Sequence, residues 1–166
     1  MRHDKVSRSI APTPYERVLG AAALVLLAFI LTAIARGHAD WGRVPPLIWA
    51  HLVTITVALS LTPALLWQRR GSRRHRQLGW IWASAMFATA LLSLFIRREG
   101  APGGWSPIHI LSIITLIGVP QAVWRARTHQ VEKHRKGLVT MVTGALILAG
   151  LFTFPFHRLL GRWLLG

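Results

Sequence analysis

Residues 51–67 read HLVTITVALSLTPALLW, and residues 109–124 repeat the pattern as HILSIITLIGVPQAVW. Each stretch starts with a histidine, runs through mainly apolar residues and ends in Pro-x-x-x-Trp. A basic loop and a second histidine follow, 24 residues after His51 (His75) and 25 after His109 (His134). This separation is long enough to cross a bilayer once, so each repeat predicts two antiparallel membrane helices with one histidine near each face. The repeat units cover about 41–96 and 105–156.

The apolar runs predict an all-α integral membrane protein. Hydrophobic residues make up 52% of the 166 residues, and a spanning helix needs about 20 mainly apolar residues. We predict five transmembrane helices: Arg17–Ala35, Pro46–Trp67, Leu78–Ile96, Pro107–Trp124 and Leu138–Phe156. Helices 2–5 are expected to form a four-helix bundle over 41–156. A basic N-terminal segment (1–14), a peripheral first helix (15–36) and a short C-terminal tail (157–166) complete the predicted organisation.

The net charge of +15 is unevenly distributed along the chain. The N-terminal segment through Arg17 and the loops 68–77 and 125–137 hold 14 Lys and Arg, against 6 in the other connections and the C-terminal tail. This positive-inside bias predicts that the N-terminus and both basic loops are cytoplasmic. The charge would attract anionic lipids of the bilayer. We expect no nucleic-acid partner, because no basic patch belongs to a soluble module.

Several kinds of chemistry are excluded by what the chain lacks. It has no cysteine, which excludes thiolate ligands and c-type haem attachment. Its five carboxylates fall in loops or at helix ends, so we expect no buried carboxylate dyad or proton-relay acid: Asp4, Glu16, Asp40, Glu99 and Glu132. The tryptophans are predicted to anchor the helices at the two interfaces, with Trp41, Trp49 and Trp105 outside and Trp67, Trp80, Trp82 and Trp124 inside.

The histidines of the repeat are the candidate ligands. His51 and His109 are predicted at similar depth towards the outer face, and His75 and His134 at the cytoplasmic edge. Two histidine pairs on alternate helices of a bundle suit the axial ligands of one or two b haems. Gly79, one turn beyond His75, and Gly137 would let a flat macrocycle approach, and the basic residues around the cytoplasmic pair, Arg76 and Arg135 among them, would pair with propionates. We predict His3, His38, His129 and His157 to be surface residues.

The helix-by-helix placement of these histidines resembles the cytochrome b561 family of di-haem membrane electron carriers. That resemblance implies an outer haem held by His51 and His109 and a cytoplasmic haem held by His75 and His134. The chain is also similar to a widespread group of bacterial multi-helix membrane proteins, through HRQLG at 75–79, Gly103-Gly104 and a final helix that starts with a histidine. The second resemblance implies a bacterial inner membrane as the location.

We therefore predict a b-type cytochrome that carries electrons through one or two bis-histidine haems. If it is an oxidoreductase, its donor would be a quinol or an ascorbate-like molecule. The alternative is a non-catalytic accessory subunit of a larger membrane complex, associated with partner subunits or with a second copy of itself. A small transporter is disfavoured, because no Asp, Glu, Lys or Arg falls inside a predicted span.

Overall fold

The computed structural model describes residues 11–68, 70–97, 104, 106–155 and 158–166. The described residues form helices joined by short connections: α1 Pro14–Arg36, α2 Pro46–Trp67, α3 Arg73–Phe95, α4 Pro107–Arg127, α5 and α6 Leu159–Leu165. A 3₁₀ helix, Gly37–Arg43, connects α1 to α2. Helix α5 has three consecutive parts: an α-helical Val131–Met141, a π-helical Val142–Leu148 and a last α-helical turn, Ala149–Leu151.

The helix starts follow from local capping chemistry. Thr13 and Glu16 form a reciprocal capping box at the start of α1, where Pro14 takes the first helical position. At α3, the Ser72 hydroxyl accepts a hydrogen bond from the backbone N–H of His75. Ser106 caps α4 and is followed by proline. These caps place His75 and His109 in the first turns of their helices.

The five long helices are arranged as a ring in chain order. The main contacts join α1 to α2, α2 to α3, α3 to α4 and α4 to α5, and α1 closes the ring against the π-helical part of α5. Helix α1 buries one face, which includes Leu19, Ala23 and Leu26. The prediction of a four-helix bundle with a peripheral first helix is therefore corrected: α1 lies between α2 and α5 and completes the wall.

Four of the described helices are long and apolar enough to cross a membrane: Pro14–Arg43 (α1 with the 3₁₀ helix), Pro46–Trp67, Arg73–Phe95 and Pro107–Arg127. Helix α4 shows the inside-out pattern of a membrane helix, because Ser112 and Thr115 are buried whereas Ile114 and Ile117 are exposed. The predicted fifth span, Leu138–Phe156, is not among the four. Its described helix begins at Val131, changes to π geometry at Val142 and ends at Leu151.

Glu16, one of the five carboxylates predicted in loops or at helix ends, is buried in the first turn of α1. Its side chain is 2% exposed and pairs with Arg70 and Arg135. Arg135 donates from Nε and Nη2 to the two carboxylate oxygens, each over 2.8 Å. The pairing fixes the start of α1 against the α2–α3 turn and the start of α5. We call this end of the ring the Glu16 end and the opposite end the His51 end.

Two tryptophans pack inside the protein. Trp82, predicted to anchor the inner interface, is 3% exposed, and its indole N–H donates to the Thr62 hydroxyl. Trp163 of α6 packs so closely on Gly37 that a Cβ there would meet its ring at 2.1 Å. The segment predicted as a short C-terminal tail thus contains a helix docked on the His51 end. Trp105 lies outside the described residues.

Candidate functional site

The His51 end contains a cavity of about 1170 Å³, here called the outer cavity. Its walls come from all five long helices, the 3₁₀ segment and α6. Both His51 and His109 line it. Cofactor and ligand sites commonly have about 300–1,000 Å³, so the outer cavity has room for a cofactor. The two histidines that the sequence predicted as one ligand pair therefore border one cavity.

The His51 ring is held by one hydrogen bond between α2 and α3. Its Nδ1 lies 3.3 Å from the carbonyl oxygen of Thr89, an atom that only accepts. Nδ1 therefore carries the proton, and Nε2 keeps the lone pair that a metal ligand needs. A neighbouring bond joins the same two helices, because the Thr89 hydroxyl donates to the Thr54 hydroxyl over 2.8 Å. This is the supporting arrangement usual around a ligating histidine.

His109 is oriented by the cap of its own helix, and its residue is 2% exposed. Its Nδ1 lies 3.0 Å from the backbone nitrogen of Ser106 and 3.1 Å from the carbonyl oxygen of the same residue. The backbone N–H of Ser106 can donate to Nδ1 when Nδ1 is deprotonated. The carbonyl oxygen of Ser106 can accept a hydrogen bond from Nδ1 when Nδ1 is protonated. Ligation of a metal through Nε2 would select the second arrangement. Ser106, Ser112 and Thr115 line the cavity on the same helix.

His75 and His134 also line a common cavity, which lies at the Glu16 end and is much smaller. This inner cavity has a volume of about 30 Å³, and Glu16, Arg70 and Arg135 line it as well. His134 Nδ1 donates to the carbonyl oxygen of Ala122 over 2.8 Å, which joins α5 to α4. Burial lowers the pKa of His134, the bond to Ala122 opposes that shift, and Arg70 reinforces it.

The inner cavity does not fit a haem in this structure, because its volume suits about two water molecules. Arg135, predicted to pair with propionates, uses its donors on Glu16. Arg76 is exposed and donates to the Gly71 carbonyl oxygen over 2.7 Å. A Cβ on Gly79 would meet nothing within 4 Å, and one on Gly137 would approach Arg125 at 3.3 Å. The geometry therefore favours a cofactor at the outer pair and not at the inner pair.

The other histidines predicted at the surface lie there or fall outside the described residues. His38 and His129 are exposed, as predicted, whereas His3, His157 and Gly103 lie outside the described residues. Within the described parts of the chain, no group of three or more His, Cys, Asp or Glu side chains could hold a metal ion. A bis-histidine site needs only two such side chains. The sequence did not predict a role for Thr54, Thr89 or Ser106. Serine and threonine are common in and next to helices, and only the fold shows that these three lie beside the histidines.

A ring of helices, four of them long and apolar enough to cross a membrane, is the architecture of a multi-helix membrane protein. The family described as "Predicted membrane protein (DUF2306)" matches residues 48–157, from within α2 to beyond α5, and the chain belongs to this family. No curated protein matches the chain, and neither does any solved structure. None of these comparisons links the chain to cytochrome b561 proteins or to haem.

Proposed function

We propose that the protein is a membrane b-type cytochrome with one haem, held in the outer cavity between His51 and His109. The observation that carries the proposal is that these two histidines, 58 positions apart in the sequence, line one cavity of about 1170 Å³. Bound there, a haem supplies one-electron transfer. Of the two predicted haem sites, the proposal includes only the one at His51 and His109. His75 and His134 would instead serve packing and hydrogen bonding at the Glu16 end.

The chain's own groups would set how such a cofactor sits. His51 on α2 and His109 on α4 would hold the haem iron through their Nε2 atoms. The Thr89 carbonyl and the Ser106 carbonyl would hold the two rings through their Nδ1–H groups. Apolar side chains such as Leu59, Met86 and Leu146 line the cavity, are almost fully buried and would exclude water. Electrons would come from a quinol or an ascorbate-like donor.

The proposal also covers the number of membrane spans, the orientation of the protein and its location. Helix α5 crosses the bilayer as a fifth span with its π-helical part in the membrane, and the Glu16 end faces the cytoplasm. The protein lies in a bacterial inner membrane rich in anionic lipids. The support for this orientation is the concentration of Lys and Arg in the N-terminal segment and in the two loops of the Glu16 end.

The test is haem content in four variants purified in detergent. We expect His51→Ala and His109→Ala each to lose the haem, because one remaining ligand cannot hold a bis-histidine site. His75→Ala should keep the wild-type amount, and so should the surface control His38→Ala. Full haem in both His51→Ala and His109→Ala would contradict the proposal. A colourless wild type would favour the accessory-subunit alternative.

A further inference from the structure

Two buried hydroxyl groups in the wall of the outer cavity can accept hydrogen bonds but cannot donate them. Ser112 and Thr115 line the cavity on α4 and are only 5% and 3% exposed. Ser112 donates its hydroxyl hydrogen to the carbonyl oxygen of Ile108 over 3.0 Å, and Thr115 donates to that of Leu111 over 2.8 Å. A hydroxyl has one hydrogen and two lone pairs. Both oxygens can therefore still accept a hydrogen bond from a molecule in the cavity.

The same restriction applies to other polar groups of the wall. Thr89 donates its hydroxyl hydrogen to Thr54 over 2.8 Å, and Thr153 donates its own to the carbonyl oxygen of Gly150 over 2.6 Å. Four of the six serines and threonines among the described lining residues thus have their hydrogen engaged. On His51, Nδ1 carries the proton, so Nε2 presents a lone pair. The wall therefore presents acceptors on several of its sides.

The surroundings of these acceptors indicate what kind of molecule would fit. Ser112 and Thr115 lie about 8 Å and about 12 Å along α4 from its first residue, at a rise of about 1.5 Å per residue. The almost fully buried side chains of Leu59, Met86 and Leu146 line the same cavity. The lining arginines, which donate hydrogen bonds, belong instead to the connecting segments and α6. A molecule that matches the helix-lined part has an apolar body and hydrogens to donate.

We infer that the outer cavity binds a lipophilic molecule with hydroxyl groups, which donate to Ser112 and Thr115 while the apolar body packs among the helices. The inference deepens the proposed function, on which its quinol form rests. Of the two electron donors named there, a quinol has this chemistry, since it carries two phenolic hydroxyls on an apolar ring. An ascorbate-like molecule is polar over its whole surface and would leave the apolar lining without contacts. A long-chain alcohol shares the hydroxyl chemistry of a quinol.

The experiment compares two hydroxyl compounds with their methyl ethers, which keep the shape but cannot donate. Decylhydroquinone, its dimethyl ether, dibromostearyl alcohol and its methyl ether all quench tryptophan fluorescence, and Trp163 lines the cavity. Each is titrated into the full-length protein in uncharged detergent, and the haem content of the same preparation is measured. We expect decylhydroquinone to bind about tenfold more tightly than its dimethyl ether, as two neutral hydrogen bonds imply.

The variants test whether the two hydroxyls are the source of this preference. The double variant Ser112→Ala, Thr115→Val removes both acceptors and should abolish the preference, while the dimethyl ether should bind to it as to the wild type. The control is Ser60→Ala, because Ser60 also donates to a carbonyl oxygen of its own helix, over 2.8 Å, but is exposed and does not line the cavity. It should keep the preference. Partition into detergent is the same for all variants, so a difference between them reports the site.

The outcomes separate the inference from the proposed function. A protein that stays without haem but prefers either hydroxyl compound supports the inference, although the proposed function fails. If dibromostearyl alcohol alone shows the preference, the inference stands with an aliphatic alcohol as the ligand instead of a quinol. If neither hydroxyl compound binds more tightly than its ether, the inference is overturned, even where the haem content agrees with the proposed function. A preference that is unchanged in the double variant would overturn it as well.

Discussion

The two histidines of the outer cavity are oriented by different means. His51 is fixed from a neighbouring helix, by the carbonyl oxygen of Thr89, whereas His109 is fixed by the cap of its own helix, through Ser106. A histidine inside a membrane protein is costly and needs partners for both ring nitrogens. In each case a backbone group can take the Nδ1–H, which leaves Nε2 with the lone pair that the proposed ligation needs.

Glu16 is the single residue whose change should affect stability most directly. Glu16→Gln removes the charge that Arg70 and Arg135 share, and those side chains are only 11% and 20% exposed. Breaking a buried ion pair typically costs about 3–5 kcal/mol, and we expect a loss near the lower value because Arg135 retains some contact with solvent. Thermal unfolding in detergent, followed by circular dichroism, should show a midpoint several degrees lower.

The matched control for this prediction is Glu132→Gln. Glu132 pairs with Lys136 at 3.5 Å, but both side chains are about four-fifths exposed, at 82% and 78%. Exposed pairs of this kind contribute at most about 1 kcal/mol, so this variant should unfold like the wild type. Equal unfolding midpoints for Glu16→Gln and the wild type would mean that the ion pairs of Glu16 with Arg70 and Arg135 do not stabilise the ring of helices.

The helix boundaries are the part of the fold that the sequence predicted best. The second predicted span, Pro46–Trp67, coincides with α2, because prolines mark its start and a basic turn follows its end. The π-helical part of α5 was not predicted, since an apolar run has the same composition in α and π geometry. Helix α6 was missed because seven residues carry too little periodicity, and its reason to fold is a distant contact between Trp163 and Gly37.

Helix α6 is expected to be needed for ligand binding. A Cβ on Gly161 would lie 1.8 Å from the backbone carbonyl oxygen of Phe154, so Gly161→Ala must displace α6 from the preceding segment. Because Leu160 and Trp163 line the outer cavity, the variant should bind haem about tenfold more weakly, as expected for an overpacked contact. The measurement is a spectrophotometric haem titration.

Gly42→Ala is the control for α6, because a Cβ at Gly42 would meet nothing within 4 Å. It lies in the 3₁₀ helix at the same end and should bind haem as the wild type does. If Gly161→Ala and Gly42→Ala had the same haem affinity, α6 would have no part in the site.

The complete ring was less predictable than its parts. The repeat placed His51 and His109 at similar depth, and both line the outer cavity; that they share a ligand stays a prediction. The place of α1 depended on contacts such as Glu16 with Arg135, 119 residues away in the chain, and no local pattern encodes them. His75 and His134 likewise line one cavity. The sizes of the two cavities, however, follow from side-chain packing and not from the spacing of the repeat.

The number of spans and their orientation can be tested together, because the chain has no native cysteine. Single variants Arg127→Cys, Gly42→Cys and Leu165→Cys would be labelled in intact cells with a membrane-impermeant maleimide. Five spans with a cytoplasmic Glu16 end predict labelling at positions 42 and 165 but not at 127 without permeabilisation. Protection at 165 together with labelling at 42 would mean that α5 does not cross the membrane.

The most direct measurement of the central claim is haem per chain in the detergent-purified wild type, from absorbance spectra of the oxidised and dithionite-reduced protein. We predict one haem per chain, after haem supplementation if necessary, with a sharp α-band on reduction. Two haems per chain would contradict the assignment of His75 and His134 to packing, and a protein that stays colourless after supplementation would contradict the cytochrome proposal itself.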